Sequence, residues 1–284
     1  MYKRQLLAGA DVLVDNLRPS LRRRLHLDTT RLQADNPRLV HTTITAFGDH
    51  GPLAESPGFD PLLQALSGLM DACGPPGEPY ATTTPVHDVA GGALVALGTL
   101  AALVARDRSG HGQRASLSLA SATLLVQVEE LTDYAGRPAA LQRGPDPLGP
   151  QPSRRSYRTA DGWVAIVATP SQRGELAAWA GAADGDADDA TLTELVQAAI
   201  ATRTVDEVVA EMSGRRIAAA RVLAEADLAA DAHLESHAVY HVAHGPDVGR
   251  CLVVAPIGAW GRSAPADTSR AAALGADTPT WHDR

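Results

Sequence analysis

One carboxylate stands at the mouth of an almost uncharged stretch of this chain. It is Asp88, within Thr84-Pro85-Val86-His87-Asp88-Val89-Ala90-Gly91-Gly92-Ala93. The chain then runs apolar through Leu94, Val95, Leu97, Leu100, Leu103 and Val104 and closes on Arg106-Asp107-Arg108-Ser109-Gly110. Pro85 disfavours helix at the residue before it and Asp is a preferred N-cap, so a helix is predicted to begin at or just after Asp88. The field of a helix N-terminus favours a carboxylate anion. Gly91 and Gly92 place no side chain over the first turn, leaving the backbone open to another molecule. An ionised, approachable carboxylate is what a carboxylate nucleophile needs. The structural alternative is that Asp88 only caps the helix.

Four arginines form a second candidate. Arg18, Arg22, Arg23 and Arg24 follow the strand-like run 10–14, and α/β folds place ligands at strand ends. Arginine suits bidentate contacts to phosphate, although a solvated helix face has the same composition. Other polar groups are weaker. Asp184, Asp186, Asp188 and Asp189 lack the glycine and the closing carboxylate of a calcium loop, since Leu195 stands where the carboxylate belongs. His237, His241 and His244 have no metal-ligand spacing, so no metal site is predicted. Cys73 and Cys251 read as buried, reduced thiols of a cytosolic protein.

The elements that must position these groups alternate. Residues 10–14, 39–45 and 113–119 read as strands from their β-branched content or alternation. Helices are expected over 21–25, over 29–34 (opened by Asp28), over 61–70 and over 120–134. Alternating strands and helices argue an α/β architecture. Residues 154–224 read as a smaller α+β insert: a hairpin turned at Ala160-Asp161-Gly162, then helices over 172–179, 192–201 and 205–212. Thr204 and Glu207 form a capping box for the last. A helix over 226–240 and strands near 239–243 and 251–254 complete the pattern. The 284 residues carry a formal charge of −8, which gives no reason to expect nucleic acid or an anionic membrane as partner. Residues 89–105 are uncharged but barely long enough to span a bilayer, and a core helix apolar on all sides is the better reading. The apolar run after Met1 is too short for a signal peptide.

Several segments in order resemble the family III CoA-transferases of the CaiB/BaiF type. Residues 11–19, Asp-Val-Leu-Val-Asp-Asn-Leu-Arg-Pro, resemble the family's ADVLVENFRPG segment. Asn36-Pro37-Arg38-Leu39-Val40 resembles its NPRLI strand entry, and Thr43 to Gly48 with Gly51-Pro52 its SISGFGxxGP run. Gly58-Phe59-Asp60 with 64–70 resembles GYDxxxQAxSGLM, His87-Asp88-Val89-Ala90-Gly91 resembles ADxxAG, and 109–113 resemble TGRGQ. Later landmarks fall at 159–162 and 274–278.

The resemblance implies a large Rossmann-like parallel-sheet domain for CoA binding and catalysis, residues 1–153 and 225–284, with the small α+β domain 154–224 inserted. It implies transfer of CoA from an acyl-CoA donor to a carboxylic acid acceptor, with Asp88 as the nucleophile that carries the CoA as a thioester. Asn16, Leu17, Arg18, Arg24 and Leu25 would line the CoA site, with Thr45, Ala46, Phe47 and Gly48 near the reacting end. CoA is then a substrate, with no tightly bound cofactor. Family members usually begin with a further strand–helix portion, so the parallel domain is expected to be N-terminally incomplete. The chain would then work as an interlocked homodimer or with a chain that supplies this portion, or else be an inactive fragment. The nearest candidate for a family glycine loop is 144–149. Related α-methylacyl-CoA racemases pair the aspartate with a histidine in a GHD motif, and here that motif reads Gly58-Phe59-Asp60. Phenylalanine carries no proton, so racemisation would need another histidine, such as His50 or His87.

Overall fold

The computed structural model describes residues 2–75, 77–137, 148–182, 187–245, 249–255, 258 and 261–262. The chain divides into two compact units, Met1–Gln151 and Pro152–Arg284. The first unit is built on three parallel strands in the order β1 (Val12–Asp15), β2 (Val40–Thr45) and β3 (Arg114–Ser118). Helix α1 (Tyr2–Ala8) precedes β1, and α2 (Pro19–Arg24) and α3 (Thr29–Asp35) connect β1 to β2. Asp28 caps α3 by accepting from the Arg31 amide, as its position predicts. Parallel neighbours need a long crossover, and the one from β2 to β3 contains α4 (Asp60–Leu66), α5 (Leu69–Cys73) and the 24-residue α6 (Val86–Ser109). The helix expected over 61–70 is two helices, because Gly68 takes φ +80° between them and leaves the helical region. After β3, Ser118 caps α7 (Leu119–Val126), and a distorted turn at Gln127 separates it from α8 (Val128–Leu131).

The two faces of the parallel sheet differ. Thr42, Ile44, Ala115 and Leu117 point one way, alternating with His41, Thr43, Arg114 and Ser116. The first set meets α6: the Thr42 and Thr99 hydroxyls lie 2.7 Å apart, and Gly98 lies over Leu117 and Ala115. The second set faces an ionic network that is buried at His41 and Thr43 and opens toward solvent at Ser116. His41 Nε2 lies 2.6 Å from Asp15 Oδ2, and Arg22 binds Asp15 at 3.3 Å and Asp49 at 3.0 Å. Arg114 and the Ser116 hydroxyl also bind Asp49. Burial acts to raise the pKa of Asp15, but bonds from His41, the Leu17 amide and Arg22 outweigh it and hold the group below the ordinary value. Asp49 is lowered in the same way, with burial opposed by Arg22, Ser116 and Arg114.

Helix α6 is not the all-round core helix expected from its composition. Val89, Leu97, Leu100 and Val104 are each more than half exposed, so its outer face is an apolar stripe.

In the second unit β4 (Arg154–Arg158), β5 (Trp163–Val167) and β6 (Ala218–Arg221) form an antiparallel sheet in that order. Tyr157, Val164 and Ile166 on the sheet pack with Leu176 of α9 (Arg173–Trp179), Leu192, Val196 and Ile200 of α10 (Asp189–Ile200), and Val208 and Met212 of α11 (Val205–Gly214). The capping box of Thr204 and Glu207 is formed, and Asp161 in the hairpin turn accepts a further bond from the Val205 amide at 2.8 Å. The helix expected over 226–240 is instead a 3-10 segment, Glu225–Ala230, and a short α12 (Ala232–Ser236). Asp231 forces the restart by taking the amides of His233 and Leu234 on its side chain. A hairpin of β7 (Tyr240–Gly245) and β8 (Gly249–Val254) follows. Neither cysteine is buried as expected: Cys73, at the end of the short α5, is exposed and Cys251 on β8 is half-buried. The landmark at 274–278 and Asp184 to Asp186 lie outside the described residues.

Removing Arg22 would leave two buried carboxylates facing one another without their shared cation. Arg22→Met is expected to lower the unfolding free energy in urea at neutral pH by about 3–5 kcal/mol. The pH dependence has a definite sign. Folded pKa values of Asp15 and Asp49 below 3.8 mean stabilisation that is complete above that pH and lost as pH falls through the folded values. In Arg22→Met the loss begins at higher pH than in the wild type, and urea midpoints measured across the acid range check both statements.

Candidate functional site

The site begins with the entry to α4. Phe59 is extended, and Asp60 and Pro61 open the helix. Asp60 is 3% exposed. One turn later Gln64 donates its Nε2 to Asp60 Oδ1 at 2.6 Å, and its amide group also pairs with the backbone of Thr82 in both directions. These bonds fix the strand of chain that leads into α6. Asp60 Oδ2 then accepts the backbone amides of His87 at 2.7 Å and Asp88 at 3.0 Å.

This overturns the expectation that Asp88 caps its own helix. Helix α6 begins two residues earlier, at Val86, with Pro85 in the N-cap position and no side-chain cap from within its own segment. Proline has no side-chain oxygen to offer, so the orphan amides of the first turn are met by Asp60 from another helix. Asp88 lies in the first turn with its side chain free of capping duty and exposed. Its pKa is raised rather than lowered: partial desolvation by the surrounding chain acts first and the neighbouring Asp60 charge second, with His87 opposing. His87 is fully buried, and neither ring nitrogen has a hydrogen-bond partner among the described residues.

The two glycines of the first turn have different roles. A Cβ on Gly91 would lie 2.6 Å from Leu119 Cδ2 and 2.9 Å from Ile44 Cδ1, so this glycine lets α6 sit close on the sheet. A Cβ on Gly92 would meet nothing within 4 Å. Open backbone beside Asp88 is therefore a property of Gly92 alone.

A cavity of about 210 Å³ lies at the ends of β1 and β2, lined among others by Asn16, Arg18, Thr45, Ala46, Ser56 and Phe59. Four of the residues singled out from sequence thus come together there: Asn16, Arg18, Thr45 and Ala46. Thr45 contributes a buried hydroxyl without a hydrogen-bond partner among the described residues, a group for which an unmet bond costs about 1–3 kcal/mol. Phe59 is 70% exposed and joins the cavity to Asp60 in sequence. Phe47 and Gly48 follow β2 but do not line the cavity; the Phe47 ring instead packs beside Gly58. Leu17 and Leu25 pack against Leu27, Leu32 and Leu39. Arg24 is exposed, away from the cavity lining. Of the four-arginine cluster, Arg22 is committed to Asp15 and Asp49, while Arg18 and Arg23 reach Glu55. Arg22 is thereby unavailable to a ligand, while Arg18, Arg23 and Arg24 are exposed. His50 is exposed on the loop after β2. Of the glycine loop 144–149, residues 144–147 lie outside the described residues.

Sequence reasoning missed the Asp60 cap. A local reading assigns caps to the nearest polar side chain, and Asp60 is 27 positions from His87.

Comparison with known proteins gives the class. The model of "CoA-transferase family III" matches residues 2–278, and the chain belongs to that family. It is 38% identical to the acetyl-CoA:oxalate CoA-transferase of Acetobacter aceti over 122 residues, which are 42% of this chain and 31% of that protein. It is 35% identical to the alpha-methylacyl-CoA racemase of Homo sapiens over 182 residues, 61% of this chain and 46% of that protein. The chain thus spans less than half the length of these curated relatives. The crystal structure of a CAIB/BAIF family protein from Brucella suis superposes with a TM-score of 0.81 at 24% identity, covering 99% of this chain and 77% of that one. The mixed α/β fold with a parallel sheet is therefore the fold of CaiB/BaiF proteins.

The two glycines give a paired test. Gly91→Val is expected to destabilise by about 1–3 kcal/mol through overpacking against the sheet. Gly92→Ala is expected to gain about 0.5–1 kcal/mol of helix stability. Thermal melts of the two variants should move in opposite directions.

Proposed function

We propose that this chain transfers CoA between carboxylic acids, with Asp88 as the nucleophile. The observation that carries this reading is an accessible carboxylate in the first turn of α6, relieved of capping by Asp60 and raised in basicity by partial desolvation and the Asp60 charge. Its oxygen attacks the carbonyl carbon of a donor acyl-CoA thioester. The C–S bond breaks, CoA leaves as thiolate, and an aspartyl mixed anhydride remains. The thiolate then attacks the aspartyl carbonyl, releasing the donor acid as its carboxylate and leaving an aspartyl-CoA thioester. An acceptor carboxylate attacks this thioester to form a second anhydride, from which the returning thiolate takes the acceptor acyl group and frees Asp88. Backbone amides near Gly92 are suited to steady the oxyanions.

CoA is the substrate that occupies the cavity side of the sheet, with Asn16, Leu17, Arg18, Arg24 and Leu25 assigned to its binding and Thr45, Ala46, Phe47 and Gly48 to the reacting end. Asn16, Arg18, Thr45 and Ala46 support this by lining one cavity. In the same reading residues 1–153 and 225–284 make the CoA-binding and catalytic domain, 154–224 make the small one, and the enzyme works in the cytoplasm.

Length and apolarity alone would let α6 cross a membrane. Its sheet-facing side, however, is held to β2 and β3, and its other side is an apolar stripe of Val89, Leu97, Leu100 and Val104. One-sided exposure fits cover by protein better than by lipid. We assign that cover to a second copy in an interlocked homodimer.

Mass spectrometry of the protein mixed with a panel of acyl-CoAs and carboxylic acids tests the proposal. A CoA adduct is expected on the peptide that holds residue 88. Asp88→Asn and Asp88→Ala should reduce adduct formation by at least about 10³-fold. An adduct undiminished in Asp88→Ala would overturn the assignment. Wash-in of deuterium at the α-carbon of a chiral 2-methylacyl-CoA would instead identify a racemase.

A further inference from the structure

We infer that Asp60 is a positioning residue for the chemistry at Asp88, its buried carboxylate fixing the backbone of residue 88 and setting a second negative charge against the nucleophile. The inference rests on the reading of Asp88 as the nucleophile. Its own ground is geometric. Both Asp60 oxygens are engaged, Oδ1 by Gln64 and Oδ2 by the amides of His87 and Asp88, and the side chain is almost wholly buried. Asp60 therefore acts through residue 88 rather than on substrate.

Two consequences follow. The amide of Asp88 is held at 3.0 Å from a fixed oxygen, so the first turn of α6 cannot fray and carry the nucleophile away. The positive field of the helix N-terminus, which would favour the Asp88 anion, is answered first by Asp60. Two carboxylates at one helix start do not ionise with equal ease. Burial would raise Asp60, but the bonds from Gln64 and from the amides of Asp88 and His87 keep it below its ordinary value. Asp88 moves the other way, through partial desolvation and then the Asp60 charge. A more basic carboxylate is the better nucleophile.

The groups able to set this balance are few among the described residues. His87 acts on both carboxylates from α6 itself. Helix α7, packed on α6, contains no ionisable side chain. On β2 and β3, His41 and Arg114 alternate with the residues that face α6, and lie on the opposite side of the sheet.

The test follows aspartyl-CoA adduct formation against pH in the wild type, Asp60→Asn and Asp60→Glu. Asp60→Asn keeps one carbonyl acceptor but removes the charge. Its acid limb should move to lower pH, and its plateau rate should fall about tenfold with the weakened cap. Asp60→Glu keeps the charge, so its acid limb should stay near that of the wild type while the rate falls. An unshifted acid limb in Asp60→Asn, with adduct still formed, would overturn the inference and leave the proposed function standing. Absence of any adduct in the wild type would instead sink the proposed function. Should Asp60→Asn not fold, carbon-13 NMR titration of the wild type decides: Asp60 must ionise at lower pH than Asp88, and the reverse order overturns the inference.

Discussion

The meeting of the Asp60 carboxylate with the amides of His87 and Asp88 is the interaction on which the arrangement of this site depends. A helix must satisfy its first amides, and α6 starts at a proline that cannot do so. Supplying the cap from α4 ties two helices together at one point. It also separates two tasks that a single aspartate would otherwise combine. Asp60 takes the structural one and is buried; Asp88 is left with an exposed carboxylate that no described residue engages. Because the cap is itself charged, the separation alters the chemistry of the freed group as well as its position.

The sheet beneath carries the same division between its faces. One side is mostly apolar, with Ala115, Leu117 and Ile44 receiving α6, which sits close at Gly91. The other side joins Asp15, Asp49, Arg22 and Arg114 in one largely buried ionic network, a costly construction that survives because every charge has a partner. This network lies where β1 and β2 end and the chain turns into α2 and into the loop before α4. Fixing those turns fixes the cavity formed by Asn16, Arg18, Thr45 and Phe59. Arg22 is thus an anchor for its neighbours, which explains why one arginine of a basic cluster is buried while Arg18, Arg23 and Arg24 remain at the surface.

What the sequence made legible was local. Strands β1, β2 and β3 announce themselves by β-branched runs or alternation, and Asp28 and the Thr204–Glu207 box mark their helix starts because cap and helix are adjacent. What it hid was distant. Asp60 lies 27 positions from the amide it caps, and Asp161 lies 44 positions from the Val205 amide it binds. Arg22 is indistinguishable from its neighbours until Asp49 folds over it. Strand β6, mostly alanine, has little strand propensity and exists because β5 offers an edge. The exposure of α6 was illegible for a related reason: composition reports how apolar a helix is, whereas the number of its faces that find partners depends on the rest of the fold.

Phe59 narrows the chemistry further. It stands next to Asp60, lines the cavity and exposes most of its ring. Racemisation at an α-carbon needs two groups able to exchange protons from opposite sides of the substrate. Among the described residues, Asp88 has beside it Asp60, whose oxygens are both occupied, and His87, which is fully buried. Phenylalanine at position 59 adds contact surface but no proton. Acyl transfer through a covalent carboxylate needs only one unengaged side chain and a partner thiolate that arrives with the substrate. Among the described residues, the surroundings of Asp88 therefore support the transfer proposed for it more than a two-base reaction.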